Sequence, residues 1–205
     1  MSLPPEFEDV AKRTLHRYLR RHRGALVWKV RGLPERDQRW PATPTGTNLL
    51  GLLKHCTVVE AGYLGDVFGR PVPDAPAWLT EEPSDPLADL YATAEESPAE
   101  LLALHERVAA HADATVEELP LDGLGHVPWW GEQGEVTLHQ ILVHLLAEYA
   151  RHAGHADIVR EGIDGLVGMA VGSENLPEDG VDWAAHVARL RDLAEGSAAE
   201  PTDRG

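Results

Sequence analysis

The residues best suited to chemistry stand in one run, His144-Leu-Leu-Ala-Glu148-Tyr-Ala-Arg-His152-Ala-Gly-His155. Wound as a helix at about 100° per residue, positions 144, 148, 152 and 155 share an arc of roughly 80°. Ile141, Leu142, Leu145, Leu146 and Ile158 surround that stripe, so it lies beside or inside a core-facing surface. Ionisable groups are costly to bury unless they are paired or bind a metal. A row of imidazoles and a carboxylate entering a core therefore points to a metal site. At about 1.5 Å rise per residue the two ends of the row are roughly 16 Å apart, so one ion cannot use all of it. It can use two residues one turn apart (His144/Glu148, Glu148/His152 or His152/His155) with a third donor from another helix. His55 is the best outside donor, polar within the apolar run Leu49-Leu-Gly-Leu-Leu-Lys-His55-Cys-Thr-Val-Val-Glu60. Two histidines, a glutamate and an open position make the ligand type of a catalytic zinc site. A single histidine on an apolar helix is more often a hydrogen-bonded boundary residue. The stripe and the isolated second-helix histidine together argue for a metal.

The elements that must position these groups are helices. A first helix is predicted from about Glu6 to Val30, with Leu15, Tyr18, Leu19, Leu26 and Val30 inward and Gly32 and Pro34 beyond its end. Thr47 or Asn48 can cap a second helix from Leu49 to about Phe68. Residues 69–96, rich in Pro, Asp and Glu, read as a long irregular connection carrying Trp78 and Tyr91. Ser97-Pro98-Ala99-Glu100 is a capping box with proline at the first helical position, opening a third helix to about Glu118. A loop from Pro120 to Glu135 holds Trp129 and Trp130, and Thr137 with Gln140 opens the fourth helix, predicted to end at Glu161 before Gly162. Asp182 to Glu195 is a short amphipathic helix with Trp183, Val187, Leu190 and Leu193 near one face. No segment alternates with period two, so strand content should be low. The expected class is all-α: a four-helix bundle over 1–180, a C-terminal helix at 181–195 packed on it, and a disordered tail at 196–205.

Length, charge and cysteine usage bound the partners. The 205 residues suffice for one well-buried domain, and 43% hydrophobic with 25% charged content suits a soluble globular chain. A formal charge of −16 argues against nonspecific binding to nucleic acid or anionic membranes. No apolar run reaches the ~20 residues of a membrane span. The N-terminus has neither a basic nor an apolar leader region, and Cys56 is the only cysteine, which fits a reducing cytoplasm. A monomer or homodimer is expected.

Two stretches carry a resemblance. Gly51-Leu-Leu-Lys-His55-Cys-Thr-Val-Val-Glu60 resembles the Gly-Leu-x-x-His-x-x-x-x-Glu pattern of the second helix in the DinB-like superfamily. Thr137 to Glu161 is similar to its fourth helix, which is the specific part. The nearest branch is that of actinobacterial DinB-like proteins of unknown function, related to mycothiol-dependent maleylpyruvate isomerase. The resemblance covers roughly residues 8–166. It implies an up-up-down-down bundle and a divalent metal, zinc or nickel, on one histidine of helix two and two ligands one turn apart on helix four. Many members use His-x-x-x-His there, whereas this chain has Glu148, like the mycothiol-dependent isomerases. By position the implied metal ligands are His55, Glu148 and His152, with His144 and His155 as flanking residues. The implied activity is that of a thiol-dependent transferase or isomerase. A low-molecular-weight thiol such as mycothiol takes the open metal position, loses its proton and attacks a small electrophile. The alternative is a non-catalytic metal-binding or stress-response bundle, whose metal would be closed off by a fourth ligand, with His144 and His155 as the candidates.

The remaining residues have plainer readings. Cys56 points about 100° away from His55 and reads as a buried structural thiol. Glu60 could pair with an arginine, with a surface or boundary charge as the default. Trp129 and Trp130 could line a pocket mouth or pack the loop onto the bundle. The basic run from Arg13 to Arg23 is either a solvated face or an anion site.

Overall fold

A computed structural model describes residues 5–81, 83–174, 176–177 and 180–197. Helix α1 spans Pro5–Val30, followed by the short α2 at Glu35–Arg39. Helix α3 spans Leu49–Leu64, and α4 is a single turn at Ala77–Thr80. Helix α5 spans Pro98–Glu118. Strands β1 (Leu124–His126) and β2 (Glu135–Thr137) pair antiparallel, with Gly125 opposite Val136. Helix α6 spans Leu138–Asp164, and α7 spans Trp183–Ser197. The described residues fall into two compact units, one ending at Ser173 and one beginning at Glu174.

The first unit is an all-α, DinB-like bundle in which α1, α3, α5 and α6 pack together. Its core is Leu19, Leu26 and Val30 from α1, Leu49, Leu50, Leu53 and Leu64 from α3, Val108 and Val116 from α5, and Leu138, Ile141, Leu142, Leu145 and Tyr149 from α6. On α6, Leu138, Ile141, Leu145 and Tyr149 recur at three- and four-residue intervals, the spacing that gives a helix one apolar face. Caps fix the helix starts. Asn48 accepts a 2.7 Å hydrogen bond from Gly51 N, Ser97 and Glu100 form the reciprocal capping box, and Thr137 accepts from Gln140 N.

Several boundaries differ from the sequence-based expectation. The second long helix stops at Leu64, and Asp66–Phe68 is a separate 3₁₀ turn. The fourth continues through Gly162 to Asp164 and is closed by Gly165 in the left-handed region at φ +78°. Arg160 explains the extension: it donates to Asp164 one turn on and to the backbone carbonyls of Lys29 and Arg31, tying the last turn of α6 to the end of α1. The loop expected from Pro120 to Glu135 contains strand β1 and borders its partner. Tyr18 and Ile158, expected on or beside apolar faces, are 42% and 74% exposed. In the second unit Asp182 accepts from Ala185 N at the start of α7, and the helix runs to Ser197. The expected disordered tail from 198 onward lies outside the described residues.

Candidate metal centre

Helices α3 and α6 run antiparallel, so His55 meets His152 while Tyr63, two turns on, meets His144. One donor atom from each of His55, Glu148 and His152 lies within 4.8 Å of the other two. His152 Nε2 stands 3.3 Å from Glu148 Oε2. Two ligands with bonds of about 2.0–2.1 Å at a tetrahedral angle stand roughly 3.3 Å apart, so this spacing already suits a shared ion. All three side chains are half-buried, reachable from solvent yet partly desolvated. Among the described residues no other group of histidines, cysteines and carboxylates has this proximity.

The environment keeps the imidazoles ready to coordinate. Burial, then the neighbouring His55, holds the His152 pKa below its ordinary value, which favours the neutral ring that binds metals. His152 Nδ1 is buried with no partner among the described protein atoms, so the protein alone does not use up this ring. His55 Nδ1 is 2.7 Å from Asp89 Oδ2. With that nitrogen engaged, Nε2 carries the free lone pair, the arrangement of a carboxylate–histidine–metal triad.

Asp89 is the site residue that sequence reasoning missed. It sits in the irregular stretch between α3 and α5, where no periodicity marks a position. Its placement depends on Gly51, one helical turn before His55. A Cβ at Gly51 would overlap the Leu90 carbonyl oxygen, stand 2.7 Å from the carbonyl carbon and 3.0 Å from Asn48 Nδ2. The bare backbone of α3 thus lets residues 89–90 settle onto the helix. Asn48 Nδ2 also donates to the Leu90 carbonyl at 3.3 Å.

A family model described as mycothiol-S-transferase matches residues 14–165. The chain belongs to the mycothiol-S-transferase family. No curated protein sequence matches it. The matched span runs from within α1 to the glycine that closes α6, so it takes in every residue of the cluster. Membership in this family associates the chain with transfer reactions of mycothiol. None of the described helices is long and apolar enough to cross a membrane.

The flanking histidines of this transferase-family chain lie outside the cluster. The His144 ring packs edge-on against Tyr63 and Trp130, with centroids 4.7 and 5.1 Å away. His155 is exposed, its ring centroid 5.4 Å from that of His152. Trp130 is half-buried, whereas Trp129 is 60% exposed and donates from Nε1 to the Tyr63 hydroxyl at 3.3 Å. Cys56 is buried, and burial followed by the charges of Glu60 and Glu148 pushes its thiol well above its ordinary range, so it is an inert core residue.

Glu60 is not the surface or boundary charge taken as the default. It is fully buried and paired with Arg23, and it accepts a 2.6 Å hydrogen bond from the Tyr149 hydroxyl. Arg23 also donates to Asp113 at 2.7 Å, and the same Tyr149 hydroxyl reaches the Cys56 carbonyl at 3.3 Å. This network joins α1, α3, α5 and α6 directly behind the cluster. Cys56 and Tyr149 each follow a cluster residue in sequence, so their hydrogen bond fixes the register of His55 against Glu148. The basic run of α1 is divided: Arg13 pairs with Asp9, Arg20 faces Asp113, and Arg23 is buried.

Proposed function

We propose that this chain is a metal-dependent mycothiol S-transferase in which His55, Glu148 and His152 hold one divalent cation, zinc or else nickel. Its acceptor is a small electrophile. The observation that carries the reading is the convergence of three donor atoms from two antiparallel helices within 4.8 Å. His₂Glu sets with a free fourth position are used for catalysis rather than for structural zinc. A divalent cation held there supplies the acidity that converts a thiol to its thiolate at neutral pH.

The chain's own residues prepare that event. Asp89 holds His55 in one tautomer, and burial keeps His152 neutral. Glu148 brings the single negative charge of the donor set, so a divalent ion held there would retain net positive charge and favour an anionic thiolate. Arg23, Glu60 and Tyr149 brace the two helices from behind. Transfer is favoured over isomerisation by the family described for residues 14–165.

The test combines metal analysis with turnover. Purified protein should carry zinc or nickel and should accelerate consumption of mycothiol by an electrophile, and chelation should remove both properties. His55→Ala should lose the metal while its circular dichroism spectrum stays helical. Glu148→Ala should bind far more weakly and Glu148→His should still bind. If His55→Ala keeps stoichiometric metal after dialysis against a chelator, the ligand set is wrong.

A further inference from the structure

A thiol transferase needs room for two reactants, and the free position of the proposed metal site serves only the thiol. Along α3, the stripe that carries His55 continues through Val59 and Gly62 at intervals of four and three residues, so these positions share a face. A cleft of about 340 Å³ opens over that continuation, lined by Val58, Val59, Gly62, Tyr63, Leu79 and Trp129, with Asp66 at its exposed rim. The volume falls within the range of small-molecule sites, roughly 300–1,000 Å³. Tyr63, one of its walls, packs against the His144 ring at a centroid distance of 4.7 Å, and His144 is one turn from Glu148.

Gly62 leaves a bare stretch of backbone in the cleft wall. Glycine within a helix costs up to about 1 kcal/mol relative to alanine, and Gly62 lies in the last turn of α3. Backbone crowding does not require it here. A Cβ at this position would meet only the Trp129 ring edge at 3.7 Å, an ordinary contact, unlike the overlap at Gly51. The bare backbone at Gly62 forms part of the cleft wall, beside the edge of the Trp129 indole. The chemistry of the walls is also one-sided. Aliphatic and aromatic carbon dominates, no lysine or arginine lines the cleft, and the one charged group is the carboxylate at the rim.

Resting on the transferase reading above, we propose that the cleft over Gly62 holds the electrophile. The acceptor is uncharged, apolar and about the size of one aromatic ring, and Gly62 and Trp129 set its size limit. In the step this implies, the thiol sulfur forms a bond to the electrophilic carbon. The leaving group departs with the electron pair of the broken bond, and the thiol proton passes to solvent. An acceptor bearing a carboxylate would meet Asp66 and find no cation to pair with, so it is disfavoured.

The test uses the full-length, metal-loaded protein and two kinds of readout. The first is binding of 4-fluorotoluene, an unreactive ring-sized probe, followed by fluorine NMR with no thiol present. Wild type should bind it. Gly62→Leu, which fills the cleft, should weaken binding by about tenfold or more, the discrimination expected when one or two carbons change the fit of an apolar pocket. Gly62→Ala is the folding control, expected to raise Tm and to weaken binding less. The second readout is turnover with mycothiol of benzyl chloride and of 4-(chloromethyl)benzoate, which share a leaving group and differ by one charge. Benzyl chloride should be preferred by wild type, and Gly62→Leu should lose that preference while keeping its metal. Probe binding without any turnover would support the cleft and overturn the transferase reading. Metal- and thiol-dependent turnover with no probe binding, or with Gly62→Leu indistinguishable from wild type, would overturn the cleft assignment and leave the transferase reading in place.

Discussion

Gly51→Ala carries the sharpest mechanical consequence for the candidate metal centre. In an isolated helix the change would be stabilising by about 1 kcal/mol. In this protein the new methyl would overlap the Leu90 carbonyl and stand 2.7 Å from its carbon, where carbon atoms normally rest at about 3.5–4.0 Å. Residues 89–90 must therefore lift by roughly 1 Å. The Asp89 carboxylate is the neighbour of Leu90 and sits 2.7 Å from His55 Nδ1, so a lift of that size takes it out of hydrogen-bond range. Loss of such a partner costs roughly 10- to 100-fold in metal affinity, about 1.4–2.8 kcal/mol. The assay is competition with a chromophoric chelator for zinc, run beside thermal unfolding of the metal-free protein. Gly51→Ala and Asp89→Asn should weaken zinc by similar factors. Their double mutant should be no worse than either alone, since both remove the same hydrogen bond. Wild-type affinity in both single variants would refute the claim that Asp89 supports His55. Additive losses would show that Gly51 acts by another route.

Two further outcomes follow from the buried polar groups. Tyr149→Phe removes the hydroxyl shared by Glu60 and the Cys56 carbonyl, and should cost about 1–3 kcal/mol in urea unfolding; an unchanged midpoint would remove Tyr149 from the brace. Burial, aided by Arg23, pushes the His105 pKa down to about 3 from 6.5, so the folded chain refuses a proton that the unfolded chain accepts. Its contribution to stability is complete above pH 6.5 and is lost as pH falls towards 3, by about 2 kcal/mol at pH 5. His105→Gln should flatten the profile of urea stability between pH 7 and 5, and an unaltered slope would refute this.

The helices were legible because their starts are chemical. Asn48, Ser97 and Thr137 each offer an oxygen to a backbone N–H two or three residues on, a rule local enough to read from sequence. Helix ends were less so. Gly162 and Gly165 look alike in sequence, and the choice between them falls to Arg160, whose partners at and just beyond the end of α1 lie about 130 residues away. The meeting of His55 with Glu148 and His152 could be anticipated from periodicity and resemblance. Asp89 could not, because its position is set by a backbone carbonyl resting on a glycine rather than by any pattern around itself. The arginine partner offered for Glu60 exists, but its burial was not legible, because whether a lone glutamate is buried depends on Arg23, 37 residues upstream.

The cluster draws on three distant parts of the chain, and this has a kinetic side. His55 and Asp89 are 34 residues apart, and the neighbouring contact between Cys56 and Tyr149 spans 93. Closing loops of these lengths costs entropy that grows only as the logarithm of length, so the penalty is largely incurred before the site exists. The donor set is therefore absent from early, locally structured chains and completes only once α3 and α6 have docked. If the proposed site binds a metal, metal added during refolding should leave the folding limb of the chevron almost unmoved and slow the unfolding limb, so that the ion would act as a latch on the finished bundle rather than a template for its assembly.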